Sequence, residues 1–491
     1  MESRAEVLEK RFLEAMPFEP TPCQASFLHD AAIFCTSPDH DIMVTSGYAG
    51  TGKTTALGAI VSVLGCIGIK CVLLSPTGRS AKVLSGYAHK EAFTVHKHIY
   101  RQKGVGADGF GQFSLSPNKD RNTLFIVDEV SLLGIDAQGA KGPSSAEFGS
   151  GDLLGDLVSF VRSGVDCRLM LMGDDAQLPP VGLDESPALS RDYMNATFSG
   201  VMFSSLRTVV RQARESGILH NATIVRNVIG RLTGTSSPDA GGSPAAGRLS
   251  LDLDGFDDIS VVQGTELIET LSKAYADYGV DQTIVLTRSN KRAIRYNAGI
   301  RSQVQFKEER LVKGDRLMVV KNCYQFLEGV ANMSYIANGD IIRLERISGY
   351  EERYGLQFAS ARVSFPDYGD VEIRPKVILD TLDSESPSLT YEQSNALYLG
   401  VNADYDWITS KKKRYESVRE DPYYNALQLK YCNAITCHKS QGGQWDCVFI
   451  DNPFWRGALT LDDLKWLYTA LTRAKCRVYL VNYNKLDFDI E

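Results

Sequence analysis

The sequence predicts an α/β protein with two parallel-sheet domains, and three observations carry that expectation. At 491 residues the chain is too long for one compact core. Apolar strand-like runs alternate with helical stretches: DIMVTSG (41–47), KCVLLSP (70–76), TLFIVDE (123–129) and CRLMLMGD (167–174), then QTIVLTRS (282–289), YCNAITCHKS (431–440), WDCVFID (445–451) and RVYLVNY (477–483). Runs this continuous are buried on both faces, as in parallel sheets covered by helices. Finally, 43% hydrophobic and 23% charged residues exclude a wholly disordered, collagen-like or membrane-embedded chain.

Taken in order, the N-terminal MESRAEVLEKRFLEAM is charged throughout and shows no secretory signal. The most apolar stretch, Ala56 to Ile69, has 14 residues, and a membrane span needs ~20. Ten cysteines without a CxxC pair predict reduced thiols and an intracellular, cytoplasmic setting with no membrane. The segment 104–120 reads as a Gly-turned hairpin and 135–152 as a surface insertion. TGTSSPDAGGSPAAG (233–247) cannot bury enough apolar surface to order itself. From about Lys313 the helical alternation gives way to short antiparallel strands, which predicts an inserted β-rich barrel. Lys411, Lys412, Lys413 and Arg414 form a basic run, read as a solvated charged face.

Chemistry enters with GYAGTGKT, from Gly47 to Thr54, after a strand and before a helix. Gly47, Ala49, Gly50, Thr51, Gly52, Lys53, Thr54 and Thr55 would wrap the phosphates of ATP. Lys53 would reach the β and γ phosphates, and Thr54 would ligate Mg²⁺. Asp128 and Glu129 end an apolar strand at the sheet edge where ligands bind. Asp128 is the second expected Mg²⁺ group, and Glu129 the group that orients the attacking water. The net charge of −7 leaves room only for a local, not a global, polyanion-binding surface.

Beyond these motifs, the order of several others resembles the RecD/Dda type of superfamily 1 DNA helicase. PTPCQASFL places Gln24 where the family recognises adenine. LLSPTGRSAKVL, with Pro76 and Thr77, and AFTVHKHIY, with Thr94 and His96, resemble its DNA-contacting motifs. GDDAQLPPVG supplies Gln177, expected near the γ-phosphate; VVRQARESGIL supplies Arg211 and YTALTRAK supplies Arg473, two arginines from the second domain. AITCHKSQGGQWDCVFI brings Thr436, His438 and Ser440 to the DNA and Gln441 and Gly442 to the nucleotide.

The resemblance implies two RecA-like domains, residues 1–206 with a hairpin insertion about 99–120, and 207–312 plus 427–491, with an SH3-like β-barrel at 313–426. It implies a monomeric motor on single-stranded DNA and the duplex fork, moving 5′ to 3′, with the hairpin in the place of a strand-separating pin, where Phe110 or Phe113 either meets the fork or packs under the hairpin. The residues themselves leave two alternatives open: a P-loop small-molecule kinase, or a non-catalytic nucleic-acid-binding P-loop protein.

Overall fold

The computed structural model describes residues 3–105, 111–135, 147–208, 216–234, 247–330, 333, 335–454 and 457–491. Arg211, Phe110 and most of the segments 135–152 and 233–247 lie outside the described residues.

A six-stranded sheet organises the first unit, in the order Ala92–Thr94, Lys70–Ser75, Thr123–Val127, Arg168–Gly173, Ile42–Gly47, Val201–Leu206. Every pairing in it is parallel. Its inner strands are buried along nearly their whole length, as their unbroken apolar runs require. A second sheet, also parallel throughout, runs Ile259–Val262, Ala474–Val481, Trp445–Asp451, Thr283–Thr287, Ala434–Thr436.

Between the last two segments of the second unit lies the β-rich insertion. Its strands follow the order Ile341–Arg353, Arg316–Val319, Leu427–Tyr431, Lys376–Ile378, Leu356–Phe365, Val371–Ile373, and Ile341–Arg353 pairs again with Leu356–Phe365, which closes the sheet into a barrel. Leu427–Tyr431, on the second-domain side of the expected boundary, hydrogen-bonds into this barrel. The run 431–440 therefore does not form one strand. It ends a barrel strand at Tyr431, resumes as the short sheet strand Ala434–Thr436 and turns helical at Cys437–Ser440.

The hairpin is present as Tyr100–Val105 against Gly111–Leu115, with Glu147–Phe148 added as a third strand. Phe113 packs against Tyr324 of the barrel, ring centroids 5.5 Å apart. Lys411–Arg414 open an exposed helix, where Arg414 pairs with Asp406 at 2.7 Å. All ten cysteines are free thiols. Among the described residues no helix is long and apolar enough to cross a membrane.

The two sheet units share a core. Tyr48, Ala176 and Leu178 of the first belong to the same buried apolar cluster as Trp445, Trp466 and Leu467 of the second. The carboxyl ends of the first sheet's strands are thus closed over by the second unit, at the edge where open α/β sheets place their ligands.

Candidate active site

Strand Ile42–Gly47 delivers the phosphate loop, and helix Lys53–Cys66 leaves it. Gly50 and Gly52 have φ of 76° and 77°, a left-handed backbone that glycine adopts without a Cβ clash, and Gly52 caps the helix. Thr54 and Thr55 occupy the helix's first turn, half-buried. The Thr51 hydroxyl donates to the Tyr48 carbonyl at 2.8 Å. Lys53 folds back: its ammonium donates to the carbonyls of Gly47 and, at 3.0 Å, Tyr48. Gln24 is fully buried and lies against the loop, its carboxamide nitrogen donating to the Thr51 carbonyl at 3.0 Å while its oxygen accepts from Thr21 N–H at 2.9 Å. Both ends are therefore engaged, one of them in capping its own helix.

Asp128 and Glu129 follow strand Thr123–Val127. Glu129 has φ of 58°, a strained setting for a residue with a side chain. The turn sets its amide toward Asp128, whose carboxylate accepts it at 2.9 Å. Burial and then the neighbouring Glu129 push the Asp128 carboxyl up to about 6, against the pull of Lys53. Two carboxylates partly balanced by one lysine form a donor set that fits a divalent cation, since Mg²⁺ is commonly held by one or two protein oxygens together with phosphates.

Across the cleft, helix Leu461–Leu471 sets a polar stripe on the first unit. Lys465 donates to the Asp184 carbonyl at 3.0 Å, the Tyr468 hydroxyl donates to Asp174 at 2.7 Å, and Thr469 Oγ1 accepts Leu178 N–H at 2.9 Å. Residues 465, 468 and 469 share one helix face by their spacing. Ala49 N–H donates to both the Tyr468 hydroxyl and Asp174, each at 3.1 Å, so the phosphate loop itself is tied to the second unit. Burial and Asp174 hold the Tyr468 phenol well above its ordinary value.

Gln441 donates to the Leu178 carbonyl at 2.7 Å. Gly442 presses on Thr77 and Ser80 of the first unit, where an added Cβ would stand 2.7 Å from Ser80 Cβ. Close by, the Arg79 guanidinium stacks 4.0 Å over Trp445. Arg473 is buried and bonds within its own unit, to Thr469 O at 3.1 Å, Gly443 O at 3.3 Å and Thr472 Oγ1 at 3.2 Å. Gln177 is buried beside this junction, and its carboxamide oxygen has no hydrogen-bond partner among the described residues.

The expected DNA-contacting residues line the first unit's edge and continue into the second. Pro76 leads into Thr77, which caps helix Gly78–Ala88 and shares a 2.6 Å hydrogen bond with Ser80. Thr94 caps helix Val95–Ile99, and its hydroxyl is also hydrogen-bonded to Tyr335 of the barrel. Burial holds His96 down to about 4, so its imidazole is neutral at neutral pH. His438 is likewise lowered by burial. Thr436 is half-buried and makes no capping bond, while Ser440 turns inward to Cys437 O at 2.6 Å. Tyr468, Thr469 and Lys465 escaped the motif reading. The signal that marks them is a polar stripe at i, i+3 and i+4 on a helix whose other residues, after Asp462 and Asp463 in its first turn, are Leu, Trp and Ala.

Two family descriptions match the chain. A UvrD-like helicase C-terminal domain matches residues 431–481, and an AAA domain matches residues 29–140. An ATP-dependent RecD2 DNA helicase of Deinococcus radiodurans is 34% identical over 142 residues, covering 29% of this chain and 16% of that protein. The ATP-dependent DNA helicase dda of phage T4 is 23% identical over 466 residues, covering 89% of this chain and 93% of its own. These matches support the resemblance to the RecD/Dda type of superfamily 1 helicases. An uncharacterised protein of Methanocaldococcus jannaschii is 21% identical, and the chain covers 89% of itself but 36% of that protein. The chain thus spans about a sixth and about a third of the first two relatives. Among solved structures, Pif1 helicase from Bacteroides in complex with ADP-AlF3 and single-stranded DNA is 15% identical, with a TM-score of 0.44 over 95% of this chain and 92% of that one.

Proposed function

We propose that this chain is an ATP-dependent DNA helicase that couples hydrolysis in the cleft to stepping along single-stranded DNA. The observation that carries this reading is the Tyr468 hydroxyl, set between Ala49 N–H of the phosphate loop and Asp174. A nucleotide entering that loop must draw Lys53 off the Gly47 and Tyr48 carbonyls, and the rearrangement is felt directly by a helix of the other unit. A small-molecule kinase has no need of a second sheet unit, whereas here Ile435, Cys437 and Trp445 of the second unit's motif share a core with Tyr48 of the loop.

Thr54 and Asp128 would hold Mg²⁺, which would offset charge on the phosphates. Glu129 would orient the attacking water, and the Gln177 carboxamide oxygen, without a hydrogen-bond partner among the described residues, would serve near the γ-phosphate. Arg473 would then leave its bonds to Thr469 and Gly443 for the γ-phosphate, assisted by Arg211. Thr77, Thr94 and Thr436 would contact strand phosphates, the neutral imidazoles of His96 and His438 adding hydrogen bonds without charge. A 5′-to-3′ direction is part of the proposal and rests only on the resemblance of the motifs to the RecD/Dda type.

The test is a pair of tailed duplexes with the overhang on either end, assayed for strand separation and for ATP turnover. Turnover stimulated by the strand and separation only of the 5′-tailed duplex are expected. Turnover indifferent to DNA, with phosphate passed to a small acceptor, would favour the kinase reading instead.

A further inference from the structure

Away from the cleft, the outer face of the barrel holds a cavity of about 410 Å³ that no motif explains. Its walls carry Arg346, Arg362, Arg374 and Lys376, with Phe326 and Pro422 as apolar surface. Two of the four cations are answered. Lys376 meets Glu351, and Arg362 lies 3.8 Å from Glu372. Arg346 and Arg374 are exposed and have no ion-pair partner among the described residues. Arg346 and Arg362 also face each other directly across paired strands, and like charges in that position repel. The Arg362 Nε is buried and lacks a hydrogen-bond partner among the described residues. Phe326, bulky yet held at a φ of 68°, is a backbone outlier of the kind found where a side chain is aimed for use.

Position gives the cavity its meaning. Phe326 lies in the loop between Cys323 and Ile336, which bridge to each other. Tyr324 in this loop touches Phe113 of the hairpin, and Tyr335 holds Thr94. The loop that touches the hairpin through Tyr324 thus also supplies Phe326 to the wall of the cavity.

We propose that this cavity is a second nucleic-acid site, which takes the phosphodiester backbone of the strand displaced at the hairpin and lays a base or sugar against Phe326. It rests on the helicase reading, but it is separate from the track along Thr77, Thr94 and Thr436. Guanidiniums suit phosphate oxygens geometrically, and an aromatic face accepts any base, so the site reads no sequence.

The probe is a pair of DNAs sharing one duplex and one single-stranded tail, of which only one carries a second, displaced arm. Binding of the full chain is followed by anisotropy across a salt series. For the wild type the second arm should tighten binding and steepen the log–log salt dependence by about 1.4, two strand phosphates at ~0.7 each. The doubly substituted Arg346→Ala, Arg374→Ala protein should lose that gain and bind the single-tailed DNA as the wild type does. A wild type indifferent to the second arm, or a double variant that keeps the gain, would overturn the proposal. So would a second arm without effect together with capture of an oligoglutamate peptide through Arg346 and Arg374, which would give the site to an acidic protein segment. Failure of the helicase reading shows separately, as absent ATP turnover on the single-tailed DNA.

Discussion

The first unit is held on two sides by different kinds of contact. Toward the second sheet unit a shared apolar core is joined by largely buried polar contacts that involve the phosphate loop itself: Ala49, Asp174 and Leu178 against Tyr468, Thr469 and Gln441. Toward the barrel they are aromatic or partly exposed: Phe113 on Tyr324, Thr94 on Tyr335, Lys82 on Asp367, and Gly78 against Asp340 and Tyr368. Groups on the first side coincide with those a nucleotide would compete for, so on the proposed reading that side would respond to ATP. Among the described residues none of these barrel-side contacts involves the phosphate loop, which suits a junction that would keep the hairpin and barrel together while the cleft rearranges. Helix Gly78–Ala88 belongs to both sides, with Ser80 under Gly442 and Gly78 under Asp340.

The largest effect that would break this comparison lies in the cleft. Glu129→Gln should keep nucleotide binding and cut DNA-stimulated hydrolysis by ~10²–10⁴, the range for a positioned acid–base group. Retained turnover would move the water-orienting role elsewhere. Tyr468→Phe removes a hydroxyl that donates to Asp174 and accepts from Ala49. Leaving that buried carboxylate one donor short should cost ~1–3 kcal/mol of stability. The same change should loosen the communication between units, seen as ATP turnover that no longer rises with added single strands. A variant as stable and as well stimulated as the wild type would remove Tyr468 from the coupling.

How far the sequence reached follows the same division. The phosphate loop was legible because glycine at left-handed positions, a lysine and a flanking strand and helix are all local features. The parallel sheets were legible from uninterrupted apolar strands. Tyr468 was not, because its role depends on a partner about three hundred residues away, and a helix that buries both an apolar and a polar face shows only a muted periodicity. Strand Leu427–Tyr431 was drawn into the wrong neighbourhood for a related reason. An apolar strand with Gln428 and Lys430 on it looks the same whichever sheet it joins, and only the closure of the barrel decides. The reading of Gln24 as an adenine contact meets a rival use, since the same carboxamide caps its helix and braces Thr51.

On the barrel side a titration sharpens the contrast. Asp340 is buried against Gly78, accepting Ala337 N–H at 2.7 Å and the Tyr368 hydroxyl at 3.1 Å, with Asp367 the other nearby charge. Burial pushes its carboxyl up to about 7. Between the ordinary carboxylate range near 4 and about 7, the folded chain holds a proton that the unfolded chain has released. Stability from this group is therefore present at low pH, falls as pH rises through that window, and levels off above it. Thermal melts of Asp340→Asn across pH 5 to 8 should show a flatter dependence than the wild type. Parallel curves would mean that the carboxyl titrates near its ordinary value.

The smallest expected effect tests whether the surface ion pair contributes to the junction. Lys82 and Asp367 meet at 3.1 Å, with their side chains 49% and 32% exposed. A pair this wet gains little Coulomb energy and gives up side-chain freedom to form, so Lys82→Ala should change stability by less than ~1 kcal/mol, and by nothing in high salt. The part-buried Tyr335–Thr94 hydrogen bond and the close approach of Gly78 to Asp340 and Tyr368 would then keep the barrel in place without it. A large loss for Lys82→Ala, persisting in salt, would mean that the junction is held at its rim, and the barrel would have to be treated as an arm that swings about the buried contacts rather than one fixed by them.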